Sequence, residues 1–211
     1  MLPTEEQNGE IGELAVLIAE SARDSATPFI VAIDGRSGAG KSTLAQALAA
    51  QTGAAVIDGD DFYSGGTAAQ WDALSAAEKA AHCIDWRRQR SVLETLVRGE
   101  TATWHPYDWN ANDGRLSDRA CICPPSAVVI LEGAYSARPE LADLLNLRVL
   151  LDVPDDTRQR QLTTREGDGY RVQWEARWAE AEEFYFTNVM PVDSFDLVIS
   201  SPGGGLPFPM R

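Results

Sequence analysis

Short, mainly apolar runs recur along the chain, separated by stretches of mixed polarity. They are four or five residues long and cover 29–33, 54–57, 127–131, 147–151 and 195–199. Runs of this length, bounded by Gly, Pro or acidic residues, are typical of strands that are buried on both faces. The segments between them favour helices, as in 42–48 and in the charged stretch 155–186. This alternation predicts an α/β fold in which helices cover both faces of a five-stranded parallel sheet.

Two parts of the chain fall outside the alternation. Residues 10–23 carry apolar side chains at helical spacing, namely Ile11, Leu14, Ile18 and Ala22. This spacing predicts an amphipathic helix packed against the outside of the core. Residues 64–126 are rich in Trp, Asp, Arg and Gly, and one clear helical pattern lies near 87–97. We interpret 64–126 as an insertion that carries a substrate-binding surface more than core, within a single domain over 1–211.

A glycine-rich motif follows the first predicted strand and precedes a predicted helix. Its sequence is Gly35-Arg36-Ser37-Gly38-Ala39-Gly40-Lys41-Ser42, which matches the GxxxxGK[ST] pattern of P-loop NTPases. Glycines there let successive N–H groups point at one phosphate, and the helix adds its positive N-terminal end. Lys41 would reach the outer phosphates, and the Ser42 hydroxyl would ligate Mg²⁺. The motif predicts a nucleoside-triphosphate site formed by Gly35, Ser37, Gly38, Ala39, Gly40, Lys41, Ser42 and Thr43.

Acidic residues follow two of the predicted strands. Asp58, Asp60 and Asp61 follow the second strand, and Glu132 follows the third. The C-terminal ends of parallel strands lie at one edge of a sheet, where ligands gather. One of these aspartates would accept a proton or hold the metal through water, and another would cap the next helix. The alternative is that all three belong to a solvated acidic loop. Glu132 stands at the Walker-B position and would help to hold Mg²⁺, with a helix cap as the alternative.

Arginines are concentrated near the start of the segment 156–186. Arg158, Arg160 and Arg165 lie within eight residues, on a predicted helix that runs into Gly167-Asp168-Gly169. Arginines on a segment that closes over the phosphates would neutralise the charge that develops during transfer. We therefore interpret 156–186 as a lid with its following helix, and Arg158 and Arg165 as catalytic residues. The alternative is a solvated helix face whose arginines pair with neighbouring acids.

The composition limits the partners that the chain can bind. The formal net charge is −14, from 32 acidic and 18 basic residues, and only two of the basic residues are lysines, Lys41 and Lys79. Such a surface repels nucleic-acid backbones and anionic lipid, so we expect neither nucleic-acid nor membrane binding. Three cysteines without a disulfide framework, and an N-terminus without a signal-peptide pattern, predict a cytoplasmic protein. The oligomeric state stays open, a homo-oligomer included.

Together, these motifs resemble those of the uridine kinase-like branch of P-loop kinases, which includes phosphoribulokinase, pantothenate kinase and nicotinamide riboside kinase. The matching pieces occur in the family's order, namely 35–43, Asp60-Asp61-Phe62-Tyr63, Pro106-Tyr107-Asp108, Leu131-Glu132-Gly133 and 158–166. The resemblance implies a five-stranded parallel sheet and a flexible lid. It also implies transfer of the γ-phosphoryl group of ATP, with Mg²⁺, to an alcohol group of a small molecule.

The resemblance further implies roles for particular residues. Asp60 corresponds to the family's catalytic acid, which also neighbours the metal, and Asp61 corresponds to its less critical neighbour. Asp85 stands where family members hold sugar hydroxyls. Tyr107 and Trp109 stand where aromatic rings line the nucleoside pocket. For both aromatic residues, packing of the insertion is the alternative.

Two departures from the family pattern bear on the acceptor. Uridine-specific members carry a histidine a few residues beyond the Tyr-Asp pair, and none follows Trp109 here. Gln161-Leu162 stand where the family has paired arginines, with Arg160 as a substitute. We therefore expect the acceptor to be a nucleoside or another sugar-like alcohol, and uridine and cytidine to be used poorly.

Two other functions are compatible with the same motifs. A nucleoside-monophosphate kinase would need several arginines in the insertion, and Arg87, Arg88 and Arg90 supply them. A nucleotide-binding ATPase without a small acceptor would need a residue that positions water, and usually a partner surface. The chain lacks the NKxD motif of G proteins, which weighs against a GTPase.

Overall fold

A computed structural model describes residues 5–111, 113–166 and 177–200 of the chain. The strands are β1 (Phe29–Asp34), β2 (Ala55–Asp58), β3 (Ala102–Trp104), β4 (Cys121–Cys123), β5 (Val128–Glu132), β6 (Leu147–Asp152) and β7 (Leu197–Ser200). Five of them form one sheet in the order β2-β5-β1-β6-β7, and every pairing within it is parallel. The predicted five-stranded parallel sheet is confirmed, and each predicted strand lies within about two residues of the observed one.

The helices are α1 (Glu5–Arg23), α2 (Lys41–Thr52), α3 (Ala68–Asp72), α4 (Ala76–His82), α5 (Trp86–Val97), α6 (Asp155–Glu166) and α7, described over 177–184 and continued by a π-helical turn, Tyr185–Val189. Helices pack on both faces of the sheet, as the alternation predicted, with α1 and α2 on one face and α5 on the other. Within the described ranges, no helix is long and apolar enough to cross a membrane.

Alternate residues of the central strand β1 point to opposite faces, and each face has its own core. Ile30 and Ala32 join the core that includes Leu93 of α5, whereas Val31 and Ile33 join the core that includes α1 and α2. All four of these β1 residues are fully buried. A strand with neighbours on both faces must be apolar throughout, which is why its sequence is an unbroken apolar run.

The segment 64–126 contains more regular structure than the sequence pattern predicted. The expected helix near 87–97 is α5, but two short helices, α3 and α4, precede it, and β3 pairs with β4 in an antiparallel ribbon. Each short helix begins with a capping box, Thr67 with Gln70 and Ser75 with Glu78. This segment also contributes to the core, since Leu93 of α5 is fully buried. Residues 64–126 therefore contribute more to the hydrophobic core than the sequence pattern predicted.

Candidate active site

The glycine-rich loop leaves the C-terminal end of β1 and runs into the first turn of α2. Gly38 and Gly40 adopt left-handed backbone conformations, with φ of 77° and 94°. A Cβ atom on Gly38 would lie 2.8 Å from the carbonyl oxygen of Arg158, so this position cannot carry a side chain without displacing α6. The loop is thus held between α2 and α6 in the conformation that lets backbone N–H groups converge.

The Lys41 ammonium lies over the start of this loop. Its Nζ donates hydrogen bonds to the carbonyl oxygens of Gly35, at 2.8 Å, and Arg36, at 3.1 Å. The ammonium group therefore lies against the first two carbonyl groups of the loop, and the motif assigns it to the outer phosphates of the nucleotide. The ammonium group of a lysine has three N–H donors on a flexible side chain, so Lys41 can exchange its carbonyl partners for phosphate oxygens.

Ser37 makes contacts that its place in the motif did not predict. Its N–H and its hydroxyl donate to Oε1 of Glu182, at 2.9 and 2.5 Å, and its carbonyl oxygen accepts from Nη1 of Arg158 at 2.9 Å. Helices α6 and α7 thus both hold this residue. Both donors of Ser37 thus bond to a buried carboxylate, and its predicted role in nucleotide binding remains a prediction.

The carboxylates of Asp58, Asp60 and Glu132 lie close together at the C-terminal edge of the sheet. Asp58 and Glu132 are register partners at the ends of β2 and β5. Burial raises the pKa of Glu132, and the neighbouring Lys41 and a hydrogen bond with Ser42 partly offset that rise. Asp58 reaches the surface, yet its carboxylate is closely surrounded by protein. This desolvation, together with the charges of Asp60 and Glu132, raises the pKa of Asp58 to about 7.

The three aspartates at or just after the end of β2 differ in their contacts. Asp58 accepts a hydrogen bond from the N–H of Asp60 at 2.9 Å and caps the 3₁₀ turn Gly59–Phe62. Asp61 is turned toward the β3–β4 ribbon, where its Oδ2 accepts from the Trp104 indole at 2.8 Å. Asp60 is exposed, and its side chain has no hydrogen-bond or ion-pair partner within the described part of the chain. Of the three, Asp60 is the one available to a substrate.

The residues at this edge fit a magnesium ion bound together with phosphates. Mg²⁺ prefers oxygen ligands, and in P-loop sites it takes the Ser/Thr hydroxyl and phosphate oxygens, with an acid nearby. Ser42 lies in the first turn of α2, which begins at Lys41, and its side chain is close to Glu132. No group of three or more His, Cys, Asp or Glu residues is arranged as metal ligands in the described ranges.

A cavity of about 480 Å³ is lined by residues that follow the acidic cluster, beginning at Ser64. It is joined to the 3₁₀ turn of that cluster by a hydrogen bond from the Asp85 N–H to the carbonyl oxygen of Phe62, at 2.8 Å. Its wall includes Asp85, Trp86 and Arg87 at the start of α5, and Trp71 of α3. The Asp85 carboxylate also caps α5, by accepting from the N–H of Arg88 at 3.3 Å. Asp85 therefore combines a structural contact with a position on the cavity wall, and its predicted role in holding hydroxyl groups remains a prediction.

Tyr107 and Trp109 belong to an aromatic cluster. The Tyr63 ring stacks on Trp109, with centroids 5.1 Å apart and planes 22° apart, and meets Tyr107 edge-on at 4.9 Å. Tyr107 is only 3% exposed, whereas Trp109 is 43% exposed. Tyr107 therefore packs within the insertion, and neither ring is part of the cavity wall that holds Asp85. Their predicted role in lining a nucleoside pocket stays a prediction.

The arginines of α6 differ in their surroundings. Arg158 is buried and bonds to both Ser37 and Asp155. Arg160 is exposed and pairs with Asp156 one turn away, which is the solvated arrangement that we had considered as the alternative. The side chain of Arg165 and residues 167–176 lie outside the described residues, so the catalytic role of Arg165 and the lid remain predictions.

Sequence reasoning missed Asp34, which lies at the end of β1 and is fully buried. Its carboxylate accepts four hydrogen bonds, from the N–H groups of Gly35, Tyr135 and Ala137 and from the Tyr185 hydroxyl, at 2.8 to 3.0 Å. Burial raises the pKa of Asp34, while these bonds and Lys41 act in the opposite direction. An acid at the end of an apolar strand was the available signal, as for Glu132. Its partners, up to 151 positions away, gave no local signal.

Comparison with known proteins agrees with this geometry. The model of the phosphoribulokinase/uridine kinase family matches residues 30–168, a range that contains the glycine-rich loop, the acidic cluster, Asp85 and Glu132. The chain belongs to this family.

Individual relatives within the family are distant. A uridine kinase of Deinococcus deserti is 29% identical over 136 residues, which is 62% of this chain and 65% of that protein. A uridine kinase of Clostridium perfringens is 27% identical over a match of the same length, which covers 64% of that protein. The chain thus matches less than two thirds of the length of either relative.

Solved structures of similar architecture cover nearly the whole chain. The structure of a possible uridine kinase from Bacillus stearothermophilus has a TM-score of 0.70 at 22% identity, covering 92% of this chain and 99% of that one. The D-glycerate 3-kinase from Cryptococcus neoformans has a TM-score of 0.57 at 13% identity, covering 92% and 94%. At these identities the likeness concerns the fold alone.

Proposed function

We propose that the protein transfers the γ-phosphoryl group of ATP to a hydroxyl group of a small molecule, and that the acceptor is a nucleoside or another sugar-like alcohol. The observation that carries this proposal is a juxtaposition at one edge of the sheet. Lys41 and Ser42 of the glycine-rich loop lie beside Glu132 and Asp60. The turn that carries Asp60 is hydrogen-bonded, through the Phe62 carbonyl, to the N–H of Asp85, which lines a cavity. Membership of the phosphoribulokinase/uridine kinase family supports the same reaction class.

Each residue has a distinct part in this reaction. Asp60 accepts the proton of the acceptor hydroxyl as its oxygen bonds to the γ-phosphorus, and the bond from that phosphorus to the bridging oxygen breaks, releasing ADP. Lys41 and the N–H groups at the start of α2 stabilise the negative charge of the phosphates. When bound, Mg²⁺ neutralises phosphate charge; Ser42 would ligate it, and Glu132 would hold it directly or through water.

The arginines of the insertion favour an alcohol acceptor over a nucleoside monophosphate. Arg90 pairs with Asp143 at 2.6 Å and with Glu94 at 2.8 Å, and Arg88 donates to the carbonyl oxygen of His105. Of the three arginines that a monophosphate site would use, Arg87 alone lines the cavity. A phosphate group bound there would meet one arginine and the Asp85 carboxylate.

ADP release from MgATP, measured with and without a panel of alcohols, tests the proposal. The panel comprises nucleosides, sugars, sugar acids and pantothenate-like alcohols, with nucleoside monophosphates as a separate group. Turnover that rises several-fold with one of the alcohols supports the proposal. Turnover that no alcohol changes indicates an ATPase, and turnover that only a monophosphate stimulates indicates a nucleoside-monophosphate kinase.

Uridine and cytidine are expected to be poor acceptors, with kcat/KM below roughly 10⁴ M⁻¹s⁻¹, the low end for enzymes on their own substrates. A site that binds the polar edge of a base discriminates strongly, and the histidine that uridine-specific members use is absent after Trp109. In addition, Tyr63 already covers one face of Trp109. Steady-state kinetics with both nucleosides, alongside the best alcohol of the panel, provide the check. Efficient uridine phosphorylation would contradict this expectation and agree with the names of the relatives.

Replacement of Asp85 by alanine is expected to raise the KM for the acceptor about 10- to 150-fold, because a hydrogen bond to a charged group contributes roughly 1.5–3 kcal/mol. The KM for ATP should stay nearly unchanged. Kinetics at varied acceptor and varied ATP measure both constants.

Two control variants separate this effect from the role of Asp85 as a helix cap. Asp85→Asn keeps the cap but removes the charge, so it should raise the acceptor KM without loss of stability. Ser75→Ala removes the cap of the neighbouring helix α4 and should cost about 1 kcal/mol of stability with no change in acceptor KM. An unchanged acceptor KM in both Asp85 variants would place the acceptor elsewhere.

A further inference from the structure

Helix α7 and the π-helical turn that continues it contact the phosphate-binding loop and the end of β1 through three side chains. Glu182 accepts two hydrogen bonds from Ser37, Glu183 pairs with Arg36 at 2.6 Å, and Tyr185 bonds to Asp34 at 2.9 Å. Glu182 differs from Glu183 in burial, since it is only 6% exposed whereas the side chain of Glu183 is 68% exposed. A buried carboxylate in contact with a phosphate-binding loop is unexpected, because like charges repel each other strongly where water is excluded.

The contact between Glu182 and Ser37 lies close to the part of the loop that Lys41 contacts. Lys41, the partner of the outer phosphates, lies at the carbonyl groups of Gly35 and Arg36, directly before Ser37. The Glu182 carboxylate is therefore bonded to the residue, Ser37, that directly follows the two carbonyl groups contacted by Lys41. It also occupies the Ser37 N–H and hydroxyl, two donors that would otherwise be available to a phosphate oxygen.

We infer that Glu182 is a positioning residue for phosphoryl transfer, which withholds the donors of Ser37 from the γ-phosphate; this inference rests on the proposed function. The γ-phosphate is then bound by Lys41 and the later N–H groups of the loop, and it is not drawn toward Ser37. Extra donors that bind the ground state would tighten nucleotide binding and slow the transfer, because only interactions that strengthen in the transition state raise the rate.

Two replacements of Glu182 separate its charge from its hydrogen bonds. Glu182→Gln keeps an oxygen that can accept both donors of Ser37 but removes the negative charge. It should tighten ATP binding roughly 3- to 10-fold, leave ADP binding within about 2-fold, and keep kcat within about 3-fold of the parent value. Glu182→Ala also frees the Ser37 donors. It should lower the KM for ATP and also lower kcat, by about 10- to 100-fold, since misplacement of a reacting group by about 1 Å has an effect of that size.

The matched control is Glu183→Gln, which removes one charge from the adjacent residue. Glu183 also contacts the loop, but its exposed charge is screened by solvent. Its variant should leave the ratio of ATP to ADP affinity unchanged. Thermal unfolding of all three variants identifies any loss of folding, and Glu182→Gln, which is nearly isosteric, allows the test even if Glu182→Ala does not fold.

Equilibrium binding of ATP and ADP to the parent protein and the three variants, followed by steady-state kinetics, tests the role of Glu182. A rise in ATP affinity relative to ADP affinity in Glu182→Gln supports the inference. Equal changes for both nucleotides, or a loss of kcat with a higher KM for ATP in Glu182→Ala, would overturn it in favour of simple structural support. The binding experiment needs no acceptor, so it remains decisive for Glu182 even if the wild-type protein phosphorylates no alcohol, the result that would refute the proposed function.

Discussion

Replacement of Lys41 by alanine is expected to lower acceptor phosphorylation by about 10³-fold or more, the upper range for removal of one preorganised donor. The Lys41 ammonium is bonded to the start of the glycine-rich loop, 2.8 Å from the carbonyl oxygen of Gly35. Its charge-assisted bonds to phosphate oxygens are among the strongest contacts that this loop can make. The variant should also bind MgATP more weakly. Its fold should persist, because the side chain contributes little packing and its hydrogen bonds within the protein are to loop carbonyls.

Arg98→Ala is the matched control for this experiment. It removes the same charge from an exposed side chain that pairs with Glu100 at the end of α5. The purified control should show parental turnover and nucleotide affinity, and both variants should show parental circular dichroism. Wild-type-like turnover of Lys41→Ala would refute the assignment of 35–42 as the phosphate-binding loop.

Replacement of Asp60 by asparagine is expected to reduce kcat by about 10²- to 10⁴-fold, the range for removal of a positioned general base. The affinity for ATP should change much less, because the carboxylate acts on the acceptor hydroxyl. The structure gives the reason for choosing this residue among its neighbours. Asp58 caps the 3₁₀ turn, Asp61 bonds to Trp104, and the Asp60 side chain alone of the three is turned to solvent without a partner among the residues described.

Asp61→Asn serves as the comparison for Asp60→Asn. The Asp61 carboxylate accepts the Trp104 indole N–H at 2.8 Å, a bond that the amide oxygen of asparagine can retain. Its kcat should therefore fall much less than that of Asp60→Asn, as kinetics at saturating ATP and acceptor will show. A larger loss in Asp61→Asn would place the catalytic acid one position later than we assign it.

The sheet and the phosphate-binding loop were predictable because their signals are local. Each buried strand is a short apolar run, and β1 passes directly into the GxxxxGK[ST] pattern. The geometry of the loop depends on nearby glycines, Gly38 and Gly40, whose left-handed conformations the pattern anticipates. The positions of Glu132 and Asp60 followed from the rule that parallel strands end at one edge.

The contacts that the sequence did not reveal join residues far apart along the chain. Glu182 lies 145 positions from Ser37, and Tyr185 lies 151 positions from Asp34. No periodicity or motif connects such pairs, since only the packing of α7 against the loop brings them together. The short helices α3 and α4 escaped notice for another reason. Each is less than two turns of mainly alanine-rich sequence, although their capping boxes were readable.

The central claim is that a small-molecule alcohol receives the γ-phosphoryl group of ATP. The most direct test is to incubate the protein with MgATP and the best alcohol of the panel, and to quantify ADP, the phosphate ester and inorganic phosphate by mass spectrometry and a phosphate assay. We predict one phosphate ester for each ADP, with little inorganic phosphate, and loss of this product in Lys41→Ala. Formation of ADP and inorganic phosphate in equal amounts, with no ester from any alcohol, would contradict the claim.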